Sequence, residues 1–340
     1  MHRSPVTLAA LLLTLTLGSQ NDSGLVKWLD FKTVQEKYRE QPRPVLIDLY
    51  TDWCGWCKHM MRTTYSNPNI AAYINQHFYA VKFNAETKDT VEYQGQVYKP
   101  YSAAPRTPHE LAIKFLGQKL SYPSTVFVTN NFQYNLLTQG YLDEKKLEPM
   151  LVFMVENAWQ TSVFDEFNRH FEKAFYDTAY KKGAVTFVDP ADLETIQKKK
   201  PRKVLVSIGA DFCNTCRVMD RTTFSDTTIA DYISKKFHVS RFNVTRTDTI
   251  TFKGEKHFPG QVNGFPFHSL SLRLSNNRFS LPALCVLDEQ MNIIDVLNYY
   301  QSPERLGNIL RYIGDNGYKS KTFSDFMTES PKPATGKNKK

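Results

Sequence analysis

One offset carries the first half of this chain onto the second. Shifted by 159 positions, Cys54 falls on Cys213, Cys57 on Cys216, and Thr63 and Thr64 on Thr222 and Thr223. In the same register Ile70, Tyr73 and Ile74 meet Ile229, Tyr232 and Ile233, Asn84 meets Asn243, Gly95 meets Gly254, His109 meets His268 and Pro123 meets Pro282. A repeat held over so many positions predicts two copies of one structural unit, running from about 24 to 182 and from about 183 to 330. Length agrees, because 340 residues at roughly 100–200 per domain give two domains.

Composition removes several classes. An apolar fraction of 41% with 13% aromatics excludes an intrinsically disordered chain. The net charge is +9, and its only dense runs, Lys198 to Lys200 and the tail Lys337-Asn338-Lys339-Lys340, read as solvated ends and not as a nucleic-acid surface. After residue 20 no stretch is long and apolar enough to span a bilayer. At the other end, Arg3 precedes an apolar run from Val6 to Leu17, followed by Gly18 and Ser19, the layout of a signal peptide over residues 1–19. That run reaches only about 18 Å against a hydrocarbon core of about 30 Å. The five cysteines are therefore expected to work after export, where disulfides persist.

Within each unit the order of elements is legible. Asp30 and Asp189 are predicted N-caps of a first helix that ends near Pro42 and Pro201. An apolar, β-branched run follows, Val45 to Tyr50 in one copy and Val204 to Ile208 in the other, and the cysteine pair comes directly after it. Then come a helix bearing Met60 and Met61, a helix capped by Asn67 with Pro68 at its first position, a strand from Phe78 to Phe83 and a hairpin turning at Gln94-Gly95. A helix from His109, strands at Pro123 and near Leu136, and a helix from Glu144 to about Trp159 close the unit.

This order, with "VLIDLYTDWCGWCK" at the first site and "YPSTVF" at the third strand, resembles the thioredoxin superfamily. The Asn84 to Tyr122 segment is longer than a minimal member has, and "TTYSNPNIAAYINQHFYAVKFNAE" resembles the exported thioredoxin-related proteins of bacteria, near the thioredoxin-like domain of the periplasmic thiol-disulfide interchange proteins. The implied architecture is α/β, with two tandem thioredoxin-fold domains at 24–160 and 183–318, each a central mixed sheet flanked by helices. A helical linker at 161–182 joins them, a C-terminal tail follows at 319–340 whose Pro- and Lys-rich end after about 330 is expected to lack structure, and the location is periplasmic.

Two cysteines three residues apart at a strand-to-helix junction form a small ring. As a brace it is weak: closing so short a loop stabilises by roughly 2 kcal/mol, against roughly 3 kcal/mol for a 15-residue loop. Redox chemistry fits the spacing better. The thiolate is the nucleophile, and an unperturbed thiol near pKa 8.5 is only about 3% ionised at pH 7. A helix N-terminus favours the anion by about 1 kcal/mol, so Cys54 is the expected nucleophile and Cys57 the resolving thiol. The resemblance implies that Asp48, six residues before Cys54, is the buried carboxylate that accepts the Cys57 proton, with Lys82 beside it. It also implies a cis bond between Tyr122 and Pro123, leaving the Tyr122 backbone free to pair with a client. Trp53 and Trp56 are candidate landing points for a peptide.

The second copy departs from the first. Cys213-Asn214-Thr215-Cys216 carries the pair, Phe212 replaces Trp53, Leu281-Pro282 replaces Tyr122-Pro123, Ser207 stands at the place of Asp48 and Arg241 at that of Lys82. A hydroxyl is no base near pH 7, so slower resolution or an accessory role is expected there. Zinc binding by the two pairs lacks completing ligands nearby. Cys285 reads as a small core residue, with redox coupling to Cys213 as the alternative, and His109 and His268 read as packing or capping groups.

The expected protein is an exported thiol-disulfide oxidoreductase that uses no metal or organic cofactor. Its partners would be client proteins with disulfides and an upstream electron donor, in the membrane or soluble. The alternative is a non-catalytic thioredoxin-like scaffold that holds peptides while its disulfides stay idle.

Overall fold

The structure, a computed structural model, describes residues 24–129, 131–179, 185–262 and 264–329. The predicted signal peptide, part of the linker and residues 330–340 lie outside them. Strand β1 (Trp28–Leu29) leads into helix α1 (Phe31–Glu40), which Asp30 caps by accepting the Thr33 N–H at 2.7 Å. Phe31, Val34 and Tyr38 are its buried residues and share one face. Strand β2 (Val45–Tyr50) is buried along almost its whole length, as a strand covered on both faces must be. Helix α2 (Gly55–Arg62) follows the cysteine turn, and α3 (Pro68–His77) starts where Asn67 Oδ1 accepts from the Asn69 and Ile70 amides. Strand β3 (Tyr79–Asn84) runs parallel to both β1 and β2, placing Asp48 directly opposite Lys82.

Next comes the hairpin of β4 (Val91–Tyr93) and β5 (Gln96–Tyr98), whose turn residues Gln94 and Gly95 both have positive φ, 55° and 71°. Helix α4 (Glu110–Leu116), strands β6 (Ser124–Thr129) and β7 (Tyr134–Gln139) and helix α5 (Glu144–Val155) complete the expected order. The sheet reads β1, β3, β2, β6, β7. Helix α6 (Phe164–Phe175) lies within the predicted linker.

The second copy repeats the plan through α7 (Leu193–Lys199), β8 (Lys203–Gly209), α8 (Asn214–Arg221), α9 (Thr227–Lys236) and β9 (Phe237–Asn243). Hairpins β10 (Ile250–Phe252) with β11 (Glu255–His257) and β12 (Pro259–Val262) with β13 (Phe265–His268) precede α10 (Ser269–Leu274). Strands β14 (Ala283–Leu287) and β15 (Ile293–Asn298) and helix α11 (Pro303–Gly314) follow. The sheet is β15, β14, β8, β9, with β8 and β9 parallel and Ser207 opposite Arg241. A single parallel bridge from Val188 to Ser240 stands where the first copy has β1.

The residues cluster into two compact units, one of residues up to 126 with 135–143, the other of 127–134 with everything from 144 onward. Helix α5 thus groups with the second unit, whereas the repeat places it at the end of the first copy. It is buried almost all round, and Phe153 meets Phe164 and Phe167 of α6 at ring separations of 5.4 and 5.3 Å. The stretch from 319, assigned to the C-terminal tail, carries helix α12 (Phe323–Glu329), while its Pro- and Lys-rich end lies outside the described residues. Phe323 and Phe326, the repeat counterparts of Phe164 and Phe167, each lie 5.4 Å from the Tyr312 ring, and that contact orders the segment. Among the described residues no helix is long and apolar enough to cross a membrane.

Candidate functional site: two cysteine pairs at helix N-termini

The chain leaves β2 at Tyr50, and Cys54 N–H bonds back to the Thr51 carbonyl at 3.1 Å, a tight turn that sets Cys54 as the N-cap of α2. Its sulfur accepts the Cys57 amide at 3.0 Å. Any negative charge on that sulfur is therefore placed against the amide end of the helix. Cys54 and Cys57 are joined as a disulfide and are only 4% and 5% exposed. Around them the surface is aromatic: Trp53 is 55% and Trp56 62% exposed. Trp53 is held from two sides, its Nε1–H donating to the Glu86 carboxylate at 3.0 Å and its ring lying edge-on to Tyr122, 6.2 Å away. Trp56 packs beside Tyr141. Tyr122-Pro123 and Leu281-Pro282 are both cis.

Beneath the turn, Asp48 is 1% exposed. Tyr65 donates a long hydrogen bond of 3.4 Å to its Oδ1, while Oδ2 has no hydrogen-bond partner among the described residues. Asp48, Cys57, Met61, Tyr50 and Lys82 line one cleft. Burial pushes the Asp48 carboxyl up to about 7, against the opposing pull of Lys82 and the Tyr65 hydroxyl. Lys82 Nζ rests over the Tyr50 ring at 4.7 Å, which keeps a cation near the carboxylate. A carboxyl that exchanges its proton near neutrality, in the same cleft as a cysteine, is suited to proton transfer in dithiol chemistry.

In the second copy Cys213 caps α8 and accepts the Cys216 amide at 3.1 Å, again within a disulfide. Here Glu156, just past α5, reaches the same helix end: its carboxylate accepts from the Asn214 and Thr215 amides at 3.0 and 2.7 Å and from their side chains at 3.0 and 2.6 Å. Burial pushes its carboxyl up, against those four hydrogen bonds. Exposed Phe212 takes the place of Trp53 and meets Phe265 of β13 at 5.0 Å.

Sequence reasoning missed two residues here. Glu156 lies far along the chain from Cys213 and carried no local signal. Asp220 lines the second cleft with Ser207, Cys216 and Arg241. Its signal was present in the repeat, since Asp220 falls on Met61, just as Ser207 falls on Asp48. Other candidates are structural. Cys285 is fully buried on β14 among Val206, Phe242 and Ala283, and burial pushes its thiol up to about 12. His109 and His268 are helix N-caps whose Nδ1 atoms accept the Leu111 and Leu270 amides at 3.1 and 3.2 Å. Among the described residues no group of three or more His, Cys, Asp or Glu is placed to hold a metal ion.

A family model named Thioredox_DsbH and described as "Protein of unknown function, DUF255" matches residues 17–175, and a model described as "Thioredoxin-like" matches residues 190–270. No curated protein matches the chain. Among solved structures, a thioredoxin-fold protein from Helicobacter pylori shares 16% identity over 46% of this chain and 88% of its own, with a TM-score of 0.29. A structure titled DsbH Oxidoreductase shares 14% over 40% of this chain and 83% of its own, with a TM-score of 0.25. The reduced DsbD C-terminal domain from Neisseria meningitidis shares 19% over 36% and 91%, with a TM-score of 0.26.

Proposed function

On the premise that this chain belongs to the thioredoxin superfamily, with a CxxC pair in each copy of its repeat, we propose that it is a thiol-disulfide oxidoreductase whose first pair exchanges electrons with disulfides of exported client proteins. The reduced Cys54 thiolate attacks a client disulfide: a bond forms between Cys54 and one client sulfur, and the other client sulfur leaves with the electron pair. Asp48 takes the Cys57 proton, the Cys57 thiolate attacks Cys54, and the remaining client sulfur departs. The pair ends as the disulfide and the client as a dithiol, two electrons richer. A dithiol donor then returns the pair to its reduced form by the same steps reversed. Trp53, Trp56 and the Tyr122-Pro123 backbone supply the surface on which the client chain lies.

The observation that carries this reading is Asp48, a buried carboxylate with one oxygen free of hydrogen bonds, in the cleft that Cys57 lines. An idle brace has no use for such a group, which costs stability wherever it is ionised. The test is insulin reduction with dithiothreitol as donor. Wild-type protein is expected to speed precipitation of the insulin B chain, and Cys54→Ser to remove the share of that acceleration carried by the first pair; equal rates with and without the protein, or a Cys54→Ser variant as fast as the wild type, overturn the reading. Export is tested by cell fractionation of the full chain, which should appear in the exported fraction shortened at its N-terminus.

A further inference from the structure

The second cleft has lost the strand carboxylate of the first, yet it holds one. Asp220 stands four residues after Cys216 on α8, so the two side chains project from one face of the helix, one turn apart. Both line the same cleft, as does Ser207. Between the two copies a carboxylate and a neutral residue have exchanged places: aspartate on the strand with methionine on the helix in one, serine on the strand with aspartate on the helix in the other. Each cleft keeps one cation at the same strand position, Lys82 or Arg241.

The surroundings hold Asp220 in place. Arg241 donates from Nη2 to Asp220 Oδ1, and its guanidinium lies 4.0 Å over the Phe187 ring. Cys216 is also easier to reach than its counterpart, being partly exposed where Cys57 is buried. Gly209, at the place of Tyr50, runs close by it: a Cβ there would stand 3.0 Å from the Cys216 sulfur. The charged or titratable groups facing Asp220 are Arg241 from β9, Asp211 from the loop after β8, and Cys216 on its own helix.

We propose that Asp220 is the proton acceptor for Cys216, the counterpart of Asp48 delivered from the helix. In the resolving step the Cys216 thiol gives its proton to the Asp220 carboxylate, the resulting thiolate attacks Cys213 in a mixed disulfide, the Cys213–Cys216 bond forms, and the client sulfur leaves with the electron pair. The reasoning rests on the second pair being redox-active, an extension of the function proposed for the first. It also revises the expectation of slow resolution drawn from Ser207 alone.

The experiment uses the full chain carrying Cys54→Ser and Cys57→Ser, reduced and mixed with a nitrobenzoate aryl disulfide. Attack by Cys213 releases one coloured thiolate, and resolution by Cys216 releases a second. Adding Asp220→Asn is expected to leave the first release unchanged, slow the second at least about 100-fold and remove its pH inflection. Placing Ser207→Asp in that background is expected to restore both, which a merely structural role for Asp220 would not allow. An unchanged second phase in Asp220→Asn overturns the assignment, and so does a slowed phase that Ser207→Asp fails to recover. If the parent releases no thiolate at all, the second pair is inert and the proposal falls, while the reading of Cys54 stands.

Discussion

The Glu156 carboxylate stands 3.8 Å from the Cys213 sulfur and occupies the amides of Asn214 and Thr215 that open helix α8. At the first site the corresponding helix end faces Cys54, and among the described residues no acidic group joins its capping hydrogen bonds. A thiolate at Cys213 would meet a carboxylate at close range and find the amide dipoles already engaged, so the reduced form of the second pair is disfavoured.

Glu156→Gln should therefore make the second pair easier to reduce. In the Cys54→Ser, Cys57→Ser background its reduction potential, measured by equilibration with glutathione, is expected to rise by about 30 mV, the equivalent of about 1.4 kcal/mol for a two-electron couple. The variant should also lose about 1 kcal/mol of stability, because an amide offers one acceptor oxygen where the carboxylate offered two. A potential that stays the same or falls would contradict the argument.

In the proposed mechanism Asp48 ties catalysis to stability. In the folded protein its carboxyl holds a proton up to about pH 7, whereas in the unfolded chain it ionises from its ordinary value of 3.8. Between those values the folded form binds more protons, so stability falls as pH rises from about 4 to about 7 and is level above that. Such a shift corresponds to about 4 kcal/mol. Asp48→Asn should remove this dependence and be the more stable protein at pH 8 in denaturant titrations. It should also resolve mixed disulfides at least about 100-fold more slowly, losing the rise in rate through about pH 7 that ionisation of Asp48 gives the wild type. A variant equally stable and equally fast would show that the carboxyl neither pays for burial nor moves a proton.

What the sequence disclosed follows from how local each determinant is. Asp30, Asn67 and His109 satisfy amides two or three residues away, and Gln94-Gly95 closes its own hairpin, so short windows predicted them. The cysteine turn was legible for the same reason. Asp48 was singled out through the family resemblance of its position before Cys54, and its burial needed the sheet to form. Glu156 was not legible, since 57 residues separate it from Cys213 and only the packing of α5 brings it there. The grouping of α5 with the second unit was hidden likewise: its burial on nearly every side has no single apolar stripe to show which partner it takes.

The two buried histidines should contribute to folding and not to thiol chemistry. Each accepts a helix amide through Nδ1, while Nε2 lies 3.0 Å from a carbonyl, that of Asp89 for His109 and of Asp248 for His268, which fixes the neutral tautomer with Nε2–H as donor. Burial holds both below the usual histidine range. The unfolded chain then takes up protons first, so stability contributed by these caps is lost as pH falls below about 6.5. His109→Ala is expected to cost about 1 kcal/mol in chemical denaturation at pH 7.5 and to leave insulin reduction at 25 °C unchanged. A large loss of turnover in folded protein would assign the residue a part in the reaction.

On the proposed function, substitution of Trp53 and Trp56 would separate client recognition from chemistry. Both are more than half exposed beside buried sulfurs, so their truncation removes apolar surface that a peptide would cover without disturbing the disulfide turn. Trp53 is further anchored through Glu86, so its indole is presented in one orientation, at little entropic cost when a client binds. Loss of one such aromatic contact weakens binding by about 1–2 kcal/mol, or roughly 5- to 30-fold. Trp56→Ala should accordingly raise KM for insulin within that range with kcat unchanged, while the rate with a small aryl disulfide, which needs no landing surface, stays at the wild-type value. Equal losses toward both substrates would place Trp56 in the activation of Cys54 and not in the capture of clients.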